Sequence, residues 1–493
     1  MKKYSLELTV FLVGAAGMIL ELDGSRLLAP YLGTTIVVWS SLIGVILGSL
    51  SLGYWLGGKL ADRHATPAVL ALIILLAALF IAAIPYGQMV LFAVIMQAAV
   101  SLSLKGLIVS VVLFAPCTAL LGMVAPFAVK LKLEKLQGAG STVGNLYAFS
   151  TLGSIAGTFL AGFFLIQYFR TTTVIFLVGL VLMTASFLMG WQRRFFAAQC
   201  LVTLILISSL VMFRLDNVAS AKQGFVDIDS QYSRIWVYDG KDTSTGKPIR
   251  SMQIGDEHSS AMFLNSDDLV YEYTKYYRLG AYFNPTVNRA LMLGGAAYSF
   301  PKDFLIKYPA AHLDVAEIDP VVTQLARQYF KLPNSDRLTI FSEDGRTFLN
   351  GKHSSYDVIY ADAFRSFAVP YQLTTVESVR RMSDLLTSQG AVLANLIGTI
   401  QGPKSQFVRA EYVTFKAVFP QVYLIPVSNP SGGNEVQNIM LVALKDKQTP
   451  TWTSNNAELN GYLAHVWRQP IDSQIPVMTD ELAPVDRYVM EMQ

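Results

Sequence analysis

Ala290 to Pro320 reads ALMLGGAAYSFPKDFLIKYPAAHLDVAEIDP, and this stretch decides the fold of the second half of the chain. An apolar strand (290–293) runs into the paired glycines Gly294 and Gly295. A helical segment follows from Pro301 to Lys307, and a second strand (313–316) ends in Glu317 and Asp319. That is half of a nucleoside-binding α/β unit. Glycine lets backbone approach a ligand closely, and an acid roughly 20 positions on, at the tip of the next strand, can accept both ribose hydroxyls. A glycine pair alone serves any tight turn, so the weight rests on the acids that the following strands bring.

Outward from this stretch the chain divides in two. Of its 493 residues 53% are hydrophobic and only 15% charged, and the excess lies in the first 213, which read as a helical membrane domain. A bilayer core takes about 20 apolar residues as helix. Such windows fall at 6–30, 36–58, 67–85, 106–130, 145–168, 172–190 and 195–213, with 88–104 as a short eighth candidate. The start resembles a signal peptide but reads as a retained first span, because apolar spans continue and no small-residue cleavage site follows. A net charge of +3 spread along the chain argues against nucleic acid as a partner. Cys117 and Cys200 lie far apart in apolar stretches, and the five histidines have no ligand spacing. Neither a disulfide framework nor a metal site is expected.

Within the first span Glu21, Asp23 and Arg26 are costly enough in a bilayer to suggest a function. The plainer reading is that Asp23 and Arg26, three apart on a helix, pair with each other. Gly44, Gly48, Gly153, Gly157 and Ala161 recur at helix-contact spacing and predict close packing between spans. Gly57-Gly58-Lys59-Leu60-Ala61-Asp62-Arg63 resembles the cytoplasmic loop between the second and third helices of major facilitator transporters. Seven spans with the amino terminus inside put Lys59, Arg63, Lys130, Lys132, Lys135, Arg193 and Arg194 in the cytoplasm, as the positive-inside rule prefers, and the globular half outside. Eight spans return it to the cytoplasm, where the nucleoside donor implied below is made, and the cytoplasmic side is the expectation adopted. The compartment is the cell (inner) membrane, crossed several times.

From Gln223 the alternation and the Asp239-Gly240 and Thr245-Gly246 turns predict hairpins, followed by a helical stretch at 269–282. Strands are expected at 290–293, 313–316, 338–341, 357–361, 391–397, 422–427 and 438–444, with helices between the first five and the last two joined directly. That count resembles the seven-stranded sheet of S-adenosylmethionine methyltransferases, a Rossmann-like α/β fold whose ligands sit at the carboxyl ends of the strands. The predicted division is 1–213, a β subdomain with its connecting helix at 223–283, and the α/β domain at 284–493. Glu317 and Asp319 end the second strand, Asp344 and Gly345 follow the third, and Asp362 ends the fourth. Together they suit one nucleoside, with Glu317 on the ribose, Asp344 on the adenine amino group, and Asp362 left for chemistry.

Residues 223–493 resemble the polyamine aminopropyltransferases, or spermidine synthases, and the whole chain resembles their membrane-fused branch. The matching stretches are Asp229-Ser-Gln-Tyr-Ser-Arg-Ile, Leu291-Met-Leu-Gly-Gly, Val315-Ala-Glu-Ile-Asp-Pro, Glu343-Asp-Gly-Arg, Tyr356-Asp-Val-Ile-Tyr-Ala-Asp, Leu373-Thr-Thr-Val-Glu and Met478-Thr-Asp-Glu-Leu-Ala-Pro-Val-Asp. The resemblance implies an enzyme that moves an aminopropyl group from decarboxylated S-adenosylmethionine to an amine such as putrescine, giving spermidine and methylthioadenosine. The donor is a co-substrate, and no tightly bound cofactor is implied. Asp362 is implied as the catalytic base. Gly294, Gly295, Glu317, Asp319, Asp344, Gly345 and Tyr232 are implied on the donor, and Tyr271, Glu272, Arg365 and Pro370 on the acceptor. A homodimer in the lipid bilayer is implied as well.

The chain departs from the family in its acceptor half. Ala297 stands where the family's glycine turn carries an acid for the donor's ammonium, and Arg365 where it carries a second acid for the acceptor. A glutamine expected near Ser233 is absent, and of the Tyr-His-Glu stretch only Tyr271 matches. Glu272, Asp480 or Glu481 could restore the negative charge. The alternatives are a transferase or lyase using intact S-adenosylmethionine, and a transporter or sensor that only binds the nucleoside.

Overall fold

The computed structural model describes residues 4–133, 139–189, 195–222, 224–363 and 369–492, with backbone alone at 214 and 216–222. The described chain separates into two compact units, residues 1–234 and 235–493.

The first unit is helical. Seven of its helices are long and apolar enough to cross a membrane: α1 (Ser5–Leu32), α2 (Ile36–His64), α3 (Pro67–Ile95), α4 (Leu102–Lys132), α5 (Ala139–Tyr168), α6 (Thr171–Leu188) and α7 (Phe196–Lys222, apolar through Phe213). The expected eighth crossing at 88–104 does not form, because α3 runs unbroken to Ile95 and the next turn leads straight into α4. Gly153 and Gly157 lie against the backbone of Phe11 and Ala15 in α1. Gly44 and Gly48, expected at a contact, face open space, and the close approach of α2 to α4 is made at Gly53 and Gly57. Arg26 does not hydrogen-bond Asp23. It donates to the carbonyls of Ile166, at 3.1 Å, and Ser230. Strand β1 (Val226–Asp229) closes the unit, with Asp227 held between Arg170 (2.9 Å) and Arg234 (2.7 Å).

The second unit opens with β2 (Arg234–Lys241), β3 (Pro248–Ile254) and β4 (Glu257–Phe263), an antiparallel meander. Short helical turns at Glu272–Tyr276, Tyr277–Leu279 and Gly280–Phe283 replace the single helix expected at 269–282. A seven-stranded sheet follows, built from β5 (Arg289–Leu293), β6 (His312–Ala316), β7 (Leu338–Phe341), β8 (Tyr356–Ala361), β9 (Leu386–Gly398), β10 (Gln421–Pro426) and β11 (Gln437–Leu444). Its spatial order is β10-β11-β9-β8-β5-β6-β7. The first five strands in the chain pair in parallel, and β11 inserts antiparallel between β9 and β10.

Side chains alternate across a strand, so each of these strands is apolar on both faces. Leu291, Leu293, Ile359 and Ala361 enter one core layer, and Ala290, Met292, Val358 and Tyr360 enter the other. The crossover helices α8 (Ser299–Lys307), α9 (Pro320–Tyr329), α10 (Gly345–Gly351), α11 (Val376–Asp384) and α12 (Gln406–Lys416) cover both faces, as parallel sheets require.

Candidate active site

Register builds the site. Leu293 is level with Ala316 of β6 on one side and Ala361 of β8 on the other, so the next residues, Gly294, Glu317 and Asp362, leave the sheet side by side at its carboxyl edge. The connection after β5 leads to β6 on one side and that after β8 to β9 on the other, which opens between β5 and β8 the crevice where such sheets take ligands.

The glycine turn is tight. Gly294 has φ of 90° and Asp362 lies directly behind it, so a Cβ at 294 would stand 2.6 Å from the Asp362 carbonyl oxygen. Ala296 and Tyr298 also adopt left-handed backbone, with φ of 42° and 56°, a conformation that costs an L-residue roughly 1–2 kcal/mol. Glu317 holds the turn in place. One carboxylate oxygen accepts from the N–H of Gly295 (2.8 Å) and Ala296 (3.2 Å), and the other from that of Asp319 (3.0 Å). Asp319 caps α9 through the N–H of Val321, and Asp344 caps α10 through those of Arg346 and Thr347. Gly345 is the first residue of α10, beneath Leu373.

Asp362 is the one acid here without a capping role. Its carboxylate accepts from the Asn395 amide at 3.2 Å, and the phenols of Tyr273 and Tyr277 stand near it. Burial pushes its pKa up to about 6, against the pull of the Asn395 amide and the two phenols. Burial, followed by the nearby Asp362 charge, keeps both phenols protonated far above the ordinary tyrosine range. Asn395 is fixed in turn by Asn438, whose amide donates to its carbonyl at 3.0 Å. A half-buried carboxylate with its pKa near 6 can take a proton from an amine close to neutral pH.

Asn395, Tyr273 and Tyr277 went unnoticed in the sequence. One signal was available, the lone amide in the buried run Val392-Leu-Ala-Asn-Leu-Ile-Gly398. Tyr271 stacks on Tyr273 with ring centroids 6.2 Å apart. Glu272 is paired with Lys275 at 2.6 Å and Asp480 with Arg346 at 2.6 Å, so two of the three carboxylates considered as replacements for the missing acids already have cations. Ala297 is fully buried. Pro370 precedes the turn Tyr371–Leu373. Tyr232 lies in the first unit, half exposed, with its N–H on Ser230. Arg365 lies outside the described residues.

A glycine turn, a strand-end acid and this strand order define a Rossmann-like α/β domain of the methyltransferase type. The Spermine/spermidine synthase domain model matches residues 278–450, within the second half of the chain. A polyamine aminopropyltransferase of Vibrio vulnificus is 32% identical over 183 residues, which are 36% of this chain and 59% of that one. A probable polyamine aminopropyl transferase of Bifidobacterium longum is 26% identical over 219 residues, covering 40% and 48%. The chain thus spans between about half and six tenths of the length of these relatives. A probable spermidine synthase from Corynebacterium glutamicum superposes with a TM-score of 0.41 at 23% identity, over 54% of this chain and 94% of that one.

Proposed function

We propose that the chain is a membrane-anchored aminopropyltransferase, with an anchor at 1–213, a β subdomain at 223–283 and a catalytic domain at 284–493. The observation that carries this reading is Asp362, a half-buried carboxyl with its pKa near 6, one strand away from the Gly294-Gly295 turn. An amine attacks only when neutral. Its nitrogen forms a bond to the carbon beside the sulfonium, the carbon–sulfur bond breaks with its electrons going to sulfur, and the proton shed by nitrogen passes to Asp362. The products are the extended amine and methylthioadenosine. Glu317 on the ribose and Asp344 on the adenine edge hold the donor, which is decarboxylated S-adenosylmethionine. The bilayer, an aliphatic amine and a second copy of the chain are its proposed partners. The globular half is assigned to the cytoplasm, where the donor is made, which with seven crossings puts the amino terminus outside, against the charge bias.

Ala297 favours a second reading, in which the donor is intact S-adenosylmethionine. An alanine cannot grip an ammonium, and it does not repel a carboxylate. One experiment decides between them: mass spectrometry of the products after incubating purified protein with each donor and a panel of amines. New aminopropyl-amine with methylthioadenosine supports the first reading, and products from the intact donor alone support the second.

A further inference from the structure

Asp23 lies inside α1, 1% exposed, and neither carboxylate oxygen has a hydrogen-bond partner among the described residues. The neighbouring Arg26 gives its hydrogen bonds to two backbone carbonyls and acts on Asp23 through its charge alone. Among the other buried acceptors of the same unit without partners are Oε1 of Gln88 in α3 and Oγ of Ser110 in α4. Asp23 stands nine residues before the end of α1, Gln88 seven before the end of α3, and Ser110 eight after the start of α4. At 1.5 Å per residue these positions lie about 10–14 Å from the same end of the bundle, at one depth.

They also share one interior. α1 and α3 each pack against both α4 and α6, which closes a ring of four helices. α1 and α3 meet across the ring through the stacked rings of Tyr31 and Phe92, 4.0 Å apart. Phe114 of α4 fills the space at Gly24, beside Asp23, and Leu113 that at Gly87, beside Gln88. An intramembrane carboxylate needs a partner that offsets its charge, and orphaned oxygen acceptors need donors. An ammonium group supplies three donors, one positive charge and no acceptor.

We propose that Asp23, Gln88 and Ser110 form an intramembrane site for a primary alkylammonium ion. Its choice over a metal cation rests on the reading that the globular half uses an aliphatic amine. The site collects the amine within the bundle, apart from the chemistry at Asp362.

The test is equilibrium binding of radiolabelled putrescine and of sodium ions to the full-length protein in lipid nanodiscs. Wild type, Asp23→Asn and Ser110→Ala are compared, with methylthioadenosine binding as the control for a folded globular half. Wild type should bind one more equivalent of putrescine than Asp23→Asn, whose affinity at that site should fall about tenfold or more, and Ser110→Ala should lose roughly three- to tenfold. Equal stoichiometry and affinity in wild type and Asp23→Asn overturns the site, as does sodium that binds at Asp23 and is not displaced by putrescine. Should Asp23→Asn not assemble, unchanged affinity in Ser110→Ala overturns it. An inactive wild type that still loses an equivalent on Asp23→Asn would sink the transferase reading and leave the site standing.

Discussion

Asn395 donates its side-chain amide to the carboxylate of Asp362 at 3.2 Å, from the next strand of the sheet. Asn438 orients that amide from the strand beyond, so a row of polar side chains crosses three strands in an otherwise apolar layer. Removing the donor should disfavour the charged carboxylate. Activity should rise with pH through about 6 in the wild type. In Asn395→Leu this acidic limb should move up by roughly one pH unit, the equivalent of one hydrogen bond to a charged group. A pH–rate profile unchanged by the substitution would separate Asn395 from the base.

Asp362→Asn should lower turnover by about 10²–10⁴-fold and leave methylthioadenosine binding intact. It should also change stability. The folded pKa is raised from 3.8 to about 6, so the contribution of this group is complete below pH 3.8 and lost as pH rises through 6. The variant should therefore match wild type near pH 4 and exceed it at pH 8 by up to about 3 kcal/mol. Thermal unfolding at both pH values checks this, reading the transition that methylthioadenosine shifts upward.

Glu317→Ala should weaken methylthioadenosine binding by about tenfold or more, measured by calorimetry. It removes a carboxylate that also holds the N–H groups of Gly295, Ala296 and Asp319. Glu317→Gln should be nearly as damaging, because one of the two oxygens becomes a donor facing backbone donors. Affinity equal to wild type in both variants would remove the nucleoside from this edge.

The donor is tested at residue 365. If the pocket accepts a carboxylate there, wild type should bind S-adenosylmethionine better than its decarboxylated form, and Arg365→Asp should reverse the order. A wild-type preference for the decarboxylated donor that the substitution leaves alone rejects the carboxylate reading.

Seven helices long and apolar enough to cross a membrane would put the two ends of the first unit on opposite sides. A reporter active only in the cytoplasm, fused to the carboxyl terminus, should be active. Silence of that fusion, with an active one at the amino terminus, would follow the charge bias of Lys59, Arg63 and Lys130 instead.

The sheet was legible in the sequence because its strands are short apolar runs that end in acids, and Gly294, Glu317 and Asp362 could be found from those ends alone. The register that makes them neighbours is a pairing between distant segments, and only the structure supplies it. The same holds for Asn395 and the two tyrosines, which lie tens of residues from Asp362 in the chain. The 88–104 segment misled because hydropathy continues past the end of α3, and a window cannot see that one helix accounts for it. Gly44 and Gly48 had the right spacing on the wrong face of α2.

The backbone at Gly294 rests on the carbonyl of Asp362 with no room for a side chain. The segment that would cradle the donor and the residue that would receive the proton are therefore one mechanical part, unable to drift relative to each other. Selection can exchange residues around that part, such as an acid for Ala297, and change what is handled there. The distance between the reacting carbon and its base would be inherited unaltered through every such exchange.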